Sequence, residues 1–259
     1  MRKLLVLGGA VILMCLAAAL SSWAAFQNLG QFSLETRDDG GFVVTDGIGR
    51  RLYLVPRGQK PPPGAPPQRV IPIPVKNVAS DSRRDTSLLG ALDALGTVKA
   101  VAGRPKDWTV PYIRQGLADG SIVSLGQSHS LDYEQLAKVK PEVFFTWDES
   151  VIPMMDELGI ATVITSADVA RDLDTQIRFA QFMAPFFGKR KEADAYVARV
   201  YKALAGIKAK TGQAQSKPKV IWGDVFSKRV LVEPGNSWAA HIVQAAGGDY
   251  LFADVSGDT

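Results

Sequence analysis

From Val70 onward, short apolar runs alternate with longer stretches whose apolar residues recur every three or four positions. Val75–Ala79 reads as a strand, followed by a helix from about Thr86 to Leu95 that ends at Gly96. Val98–Ala102 is a strand ending at Gly103, Val110–Ala118 a helix stopped by Gly120, and Ile122-Val123 a short strand. Ser130 can cap a helix over Leu131–Val139. Val143–Trp147 has the character of a buried strand, Val151–Leu158 of a helix stopped at Gly159, and Thr162–Ile164 of the next strand. The alternation predicts an α/β fold with a parallel sheet wrapped by helices.

Two longer helices follow. In the first, Leu173, Ile177, Ala180, Ala184 and Phe187 share one face. In the second, over residues 188–212, Ala193, Tyr196, Val200, Leu204 and Ile207 do so, and no strong breaker intervenes before Thr211-Gly212. This second helix is expected to be a rigid bridge between two lobes, the first over residues 70–187. After Pro218 a new series begins: strands at Lys219–Trp222 and Val230–Val232, a turn at Pro234-Gly235, and a helix capped by Asn236 or Ser237 that ends at Gly247-Gly248. So few elements cannot cover both faces of a parallel sheet. Residues 213–259 are therefore expected to be the start of a second lobe, truncated.

The N-terminal part is organised differently. Residues 26–57 read as a small β element, with extended runs at Phe32–Glu35, Gly41–Val44 and Arg51–Val55 separated by Asp-Gly turn signals. Residues 58–69 contain five prolines between Gln59 and Pro67 and read as an extended linker. Ahead of both, Arg2 and Lys3 precede an uncharged apolar run over Leu4–Leu20, and Ser21-Ser22-Trp23-Ala24-Ala25 supplies small residues. Residues 1–25 thus read as a secretory signal cleaved after Ala24 or Ala25, which places the mature chain in the periplasm. A lipoprotein anchor at Cys15 is disfavoured by the bulky Met14 before it.

Composition narrows the function classes. The 259 residues carry 30 basic and 26 acidic side chains, a net charge of +4, too mild and dispersed to imply nucleic-acid binding. Cys15 is the single cysteine, which excludes an intramolecular disulfide and a Cys-built metal site. His129 and His241 are the only histidines, too few for a multi-His centre. No Gly-x-Ser-x-Gly, Walker loop or His-Glu-x-x-His run is present, so no catalytic residues are assigned.

Several stretches resemble one family. Ser87–Gly96 followed by Val101-Ala102-Gly103 is similar to its first helix and second strand, and Leu131–Val143 to its "asn-leu-glu…leu-lys-pro-asp" segment, with Asp132-Tyr133 and Glu142 at variant positions. Glu157–Ile160, Gly235–Trp238 and Ala246–Phe252 add further matches. The chain resembles the periplasmic substrate-binding proteins of ABC importers for ferric siderophores, haem or cobalamin. The resemblance implies a two-lobed fold with a single long connecting helix, here with an incomplete second lobe. It implies a monomer that holds a small-molecule metal chelate, has no cofactor of its own, and meets an ABC permease and its ATPase. It also implies that Glu134 pairs with permease arginines on docking.

Ligand is expected at the C-terminal ends of the strands. The loops there contain Arg83, Arg84, Arg104 and Lys106 with Trp108 and Trp147, and Phe226–Arg229 is their counterpart in the second lobe. Guanidinium groups suit carboxylate and catecholate oxygens, and indoles suit macrocycles or aryl rings. Arg83, Arg84, Arg104, Trp108, Trp147 and Arg229 are accordingly the candidate ligand residues. His129 is a weaker candidate for ligating a chelated metal. Two other functions stay open: an exported α/β enzyme with a two-lobe cleft, and a periplasmic sensor without transport.

Overall fold

The computed structural model describes residues 26–166 and 172–257. The export signal read over residues 1–25 lies outside the described residues. Strands β1 (Phe26–Leu29), β2 (Phe32–Thr36), β3 (Phe42–Thr45) and β4 (Arg51–Pro56) form an antiparallel meander, and β5 (Val70–Ile73) adds to β4 in parallel. The proline-rich stretch therefore returns the chain to the same sheet instead of joining two separate units. Its prolines cannot donate to a ladder, and Pro72 is tolerated because β5 is an edge strand.

The second sheet is wholly parallel. It contains β6 (Val78–Ser80), β7 (Val98–Val101), β8 (Val123–Ser124), β11 (Val143–Thr146) and β12 (Thr162–Ile164), in the order β12-β11-β6-β7-β8. Between β8 and β11 lies a small hairpin of β9 (Gly126–Gln127) and β10 (Ser130–Leu131). Helices α1 (Arg83–Ala91), α2 (Pro111–Asp119), α3 (Tyr133–Val139) and α4 (Ile152–Glu157) follow the strands, as the alternation predicts for an α/β fold. Two starts differ from expectation. Ser82 accepts the Asp85 N–H and begins α1 three residues early. Asp132, not Ser130, caps α3 by accepting the Gln135 N–H at 2.9 Å, because Ser130 is held in β10.

Helix α5 (Leu173–Phe187) leads into α6 (Arg190–Thr211), 22 residues long. Helix α6 packs along α5 and buries only Ala193 and Val197. The remaining elements are β13 (Lys219–Val220), the hairpin β14 (Gly223–Phe226) and β15 (Arg229–Val232), α7 (Trp238–Ala245), and β16 (Asp249–Tyr250), which pairs with β13 in parallel.

Helix α5 is apolar around most of its circumference. Besides the stripe read from the sequence, Phe179, Phe182, Met183 and Phe186 are buried. Phe179 and Phe182 meet Phe32 of the first sheet at ring separations of 5.0 and 4.7 Å. Phe186 meets Phe145 of the second sheet at 5.3 Å, edge-on. Both sheets and α5 thus share one apolar core, and a boundary at residue 57 or 70 cuts through it.

A polar clamp fastens the same two sheets. The β3–β4 turn lies along the outer edge of β12: the Gly47 N–H donates to the Ile164 carbonyl at 2.8 Å, and the Ile164 N–H donates to Asp46 Oδ2 at 3.2 Å. Asp46 is fully buried and pairs with Arg50 at 2.8 Å, and Arg50 also donates to the Thr162 carbonyl at 2.8 Å. A Cβ on Gly47 would lie 2.8 Å from the Ser166 carbonyl, so the approach demands glycine. Removing one partner of a buried pair typically costs ~3–5 kcal/mol. Asp46→Ala should lower unfolding stability by about that amount, measured by urea denaturation, and an unchanged midpoint would show that the turn does not fasten the sheets.

Candidate functional site

The chain leaves β6 toward β7 and β8 on one side, then returns to lay down β11 and β12 on the other. The crevice at the C-terminal ends of β6 and β11 is therefore a topological switch point, where open parallel sheets bind ligands. A cleft of about 410 Å³ opens there. Asp81 and Arg83 enter it after β6, Asp107 and Trp108 after β7, Gln127 from β9, and Trp147 after β11.

Trp108 is buried as a wall, its Nε1–H donating to the Ala102 carbonyl at 3.1 Å. Trp147 is 50% exposed at the rim. Arg83 is exposed and reaches across to the Asp107 carbonyl at 3.2 Å.

Asp81 spans the switch point. Its Oδ2 accepts the Thr146 hydroxyl of β11 at 2.6 Å, while its buried Oδ1 has no hydrogen-bond partner. Burial raises the Asp81 carboxyl to about 7, with Asp85 and Asp148 pushing the same way. The Thr146 hydroxyl opposes the rise without overcoming it, as does the nearby Trp147 backbone N–H, which makes no hydrogen bond of normal geometry to the carboxylate.

The other candidates are placed differently. Arg84 turns away from the cleft: it pairs with buried Asp85 at 2.9 Å, donates to the Thr165 carbonyl, and stacks over Phe179 at 4.6 Å. The Thr165 hydroxyl also bonds Asp85, so this arginine belongs to a network between α1 and the chain beyond β12. Arg104 pairs with Asp107 at 3.2 Å on the outside of a short turn, and Lys106 is exposed beside it. Arg229 is exposed on β15, opposite Phe226 in a tight hairpin whose turn residues Ser227 and Lys228 have φ of 47° and 67°. His129 is exposed in the β9–β10 turn, and Glu134 is exposed in the first turn of α3. The structure thus brings Arg83, Trp108 and Trp147 together and leaves Arg84, Arg104 and Arg229 outside the cleft lining.

A slightly larger cavity, about 440 Å³, lies among α5, α6 and α7. Lys208 from the last turn of α6, Lys217 from the loop after it and His241 from within α7 line it. Among the described residues no group of three or more His, Cys, Asp or Glu side chains could hold a metal ion.

The model of the family "Periplasmic binding protein" matches residues 84–258. The chain belongs to the periplasmic binding protein family. A curated relative, an uncharacterized lipoprotein of Methanocaldococcus jannaschii, is 26% identical over 230 residues, covering 83% of this chain and 55% of its own. The chain therefore spans about half the length of that relative. A solved structure from Staphylococcus epidermidis, described as a possible iron-binding (periplasmic solute-binding) protein, superposes with a TM-score of 0.59 at 15% identity, covering 71% of this chain and 69% of its own. The periplasmic haem-binding protein of Vibrio cholerae superposes with a TM-score of 0.55 at 16% identity, covering 68% and 66%. These solved structures share the fold of this binding protein.

Sequence reasoning selected cations and missed Asp81. The available signal was a carboxylate directly after the apolar strand Val78-Ala79-Ser80, a position where burial is expected and ionisation is costly. Between the ordinary Asp value of 3.8 and about 7, the folded protein holds a proton at Asp81 that the unfolded chain releases. Stability contributed by this group is therefore lost as pH rises through that window. Asp81→Asn should remove this loss, leaving the variant more stable than wild type at pH 8 by ~2–4 kcal/mol and nearly equal at pH 4. Urea unfolding at both pH values checks it, and parallel pH profiles would contradict it.

Proposed function

We propose that this protein is the solute-binding component of an ABC importer, exported to the periplasm, which holds a metal chelate of the iron–siderophore, haem or cobalamin type. It works as a monomer and delivers the chelate, chemically unchanged, to a membrane permease and its ATPase. The observation that carries this reading is the switch-point cleft of a periplasmic binding protein, with the exposed Trp147 indole at its rim and Arg83 beside it. An indole face and a guanidinium suit a flat or aryl chelate with oxygen ligands. The names of the S. epidermidis and V. cholerae proteins point to the same ligand class.

Glu134 serves permease docking in this reading. It is exposed in the first turn of α3, where the helix dipole favours a carboxylate that can steer toward a basic surface. Export with cleavage near Ala24 gives a cysteine-free mature chain, whereas anchoring through Cys15 would retain a lipidated cysteine as in a lipoprotein. Intact mass of the cellular protein separates the two.

One observation favours a second reading, an exported enzyme: a cleft carboxyl near 7 is suited to general acid–base work. Recovery of the chelate discriminates, because an enzyme alters it and a carrier returns it. Titration with ferric chelates and haem should give saturable quenching of tryptophan fluorescence, weakened at least tenfold by Trp147→Ala. Glu134→Ala should leave that binding intact while reducing uptake in cells severalfold. Absence of quenching by every chelate, or unimpaired uptake with Glu134→Ala, would refute the respective assignment.

A further inference from the structure

The charge lining the cleft differs from what its arginine-rich loops suggest. Arg84 is committed to Asp85 and Arg104 to Asp107, each through a carboxylate contact. The charged side chains that line the cleft are Asp81, Asp107 and Arg83. Around Asp81 stand Asp85 from α1 and Asp148 from the chain after β11, with Arg83 and Asp107 on the cleft wall. Asp85 and Asp107 are in turn neutralised by Arg84 and Arg104, which leaves Asp81 and Arg83 as the charged lining residues without an ion pair among the described residues.

Asp81 is only 6% exposed, and its Oδ1 lacks a partner. A buried acceptor left bare costs ~1–3 kcal/mol, and folds retain few such groups. Here the bare oxygen belongs to a cleft-lining residue, so a bound solute can supply the missing donor. The half-exposed Trp147 indole at the rim provides an independent preference for positive charge, since a ring face attracts an ammonium. We infer that the solute carries an ammonium group whose N–H is received by Asp81 Oδ1 at the head of β6.

The inference rests on the carrier reading and specifies its ligand: a chelate with a cationic amine on its periphery. It also fixes the pH response. An alkylammonium keeps its charge to about pH 10, so within the ammonium–carboxylate contact itself the titrating group is Asp81. Acceptance of the ammonium requires the ionised carboxylate, so affinity should rise as pH passes upward through 7.

The test uses two ferric trihydroxamates that differ at one nitrogen: ferrioxamine B, with a pendant ammonium, and its N-acetyl derivative, without that charge. Tryptophan quenching is followed from pH 5.5 to 8.5 in wild type and Asp81→Asn. Wild type should bind ferrioxamine B at least tenfold more tightly than the acetylated chelate at pH 8.5, with the gap narrowing at pH 5.5. Asp81→Asn should close the gap at every pH. Equal binding of the two chelates by wild type, or tighter binding of the acetylated one, would overturn the inference while leaving the carrier reading intact. Quenching by neither chelate, alongside saturable haem binding, would overturn the inference alone. Failure of all three chelates to bind would remove the carrier reading as well.

Discussion

Helix α5 buries most of its circumference, and the architecture follows from that. Ten of its fifteen residues are buried, including four phenylalanines. A helix apolar on most sides has to be enclosed by protein. The parallel sheet supplies one cover through Phe145 and the antiparallel sheet another through Phe32, while α6 packs along it. Even the β1–β2 turn participates: Gly30 has φ of 80° and lies against Thr175, where a side chain would collide with the helix. The first 32 described residues are therefore part of the scaffold of the binding lobe.

This shared core bears on the cleft. Strand β6, which delivers Asp81, is held between β7 and β11 in the parallel sheet, and that sheet is fastened to α5 by buried aromatic rings. A well-packed frame can sustain a carboxylate that is poorly solvated and incompletely bonded. Local costs of this kind concentrate at sites of function, where stability is given up for recognition. Arg84 illustrates the division of labour. Its guanidinium stays with Asp85 and the Phe179 ring, tying α1 to the core, while its neighbour Arg83 extends into the crevice.

Much of this was legible in the chain. Alternating strand and helix patterns from Val75 to Ile164 correspond to the parallel sheet and its helices, because both faces of such a sheet demand apolar strands. The second buried face of α5 was not legible. Phe179, Phe182 and Phe186 look like surplus hydrophobicity until the β meander is seen to cover them. Pattern also could not tell which of two polar residues, Ser130 or Asp132, would cap α3, since Ser130 is drawn into β10 by a hairpin only two residues wide on each strand. At the cleft, residue type located the loops but not the side-chain directions. Two adjacent arginines, Arg83 and Arg84, project to different sides of α1, and neither composition nor spacing reveals which one an internal carboxylate captures.

The turn that lies along β12 has a further consequence. Thr162, Val163 and Ile164 are all buried, and this edge strand carries none of the charged or proline residues that usually discourage intermolecular pairing. Gly47, Asp46 and Arg50 occupy its hydrogen-bonding groups instead. The meander is therefore a built-in chaperone for the parallel sheet: a molecule in which it came loose would present a bare adhesive border, open to polymerisation with its neighbours.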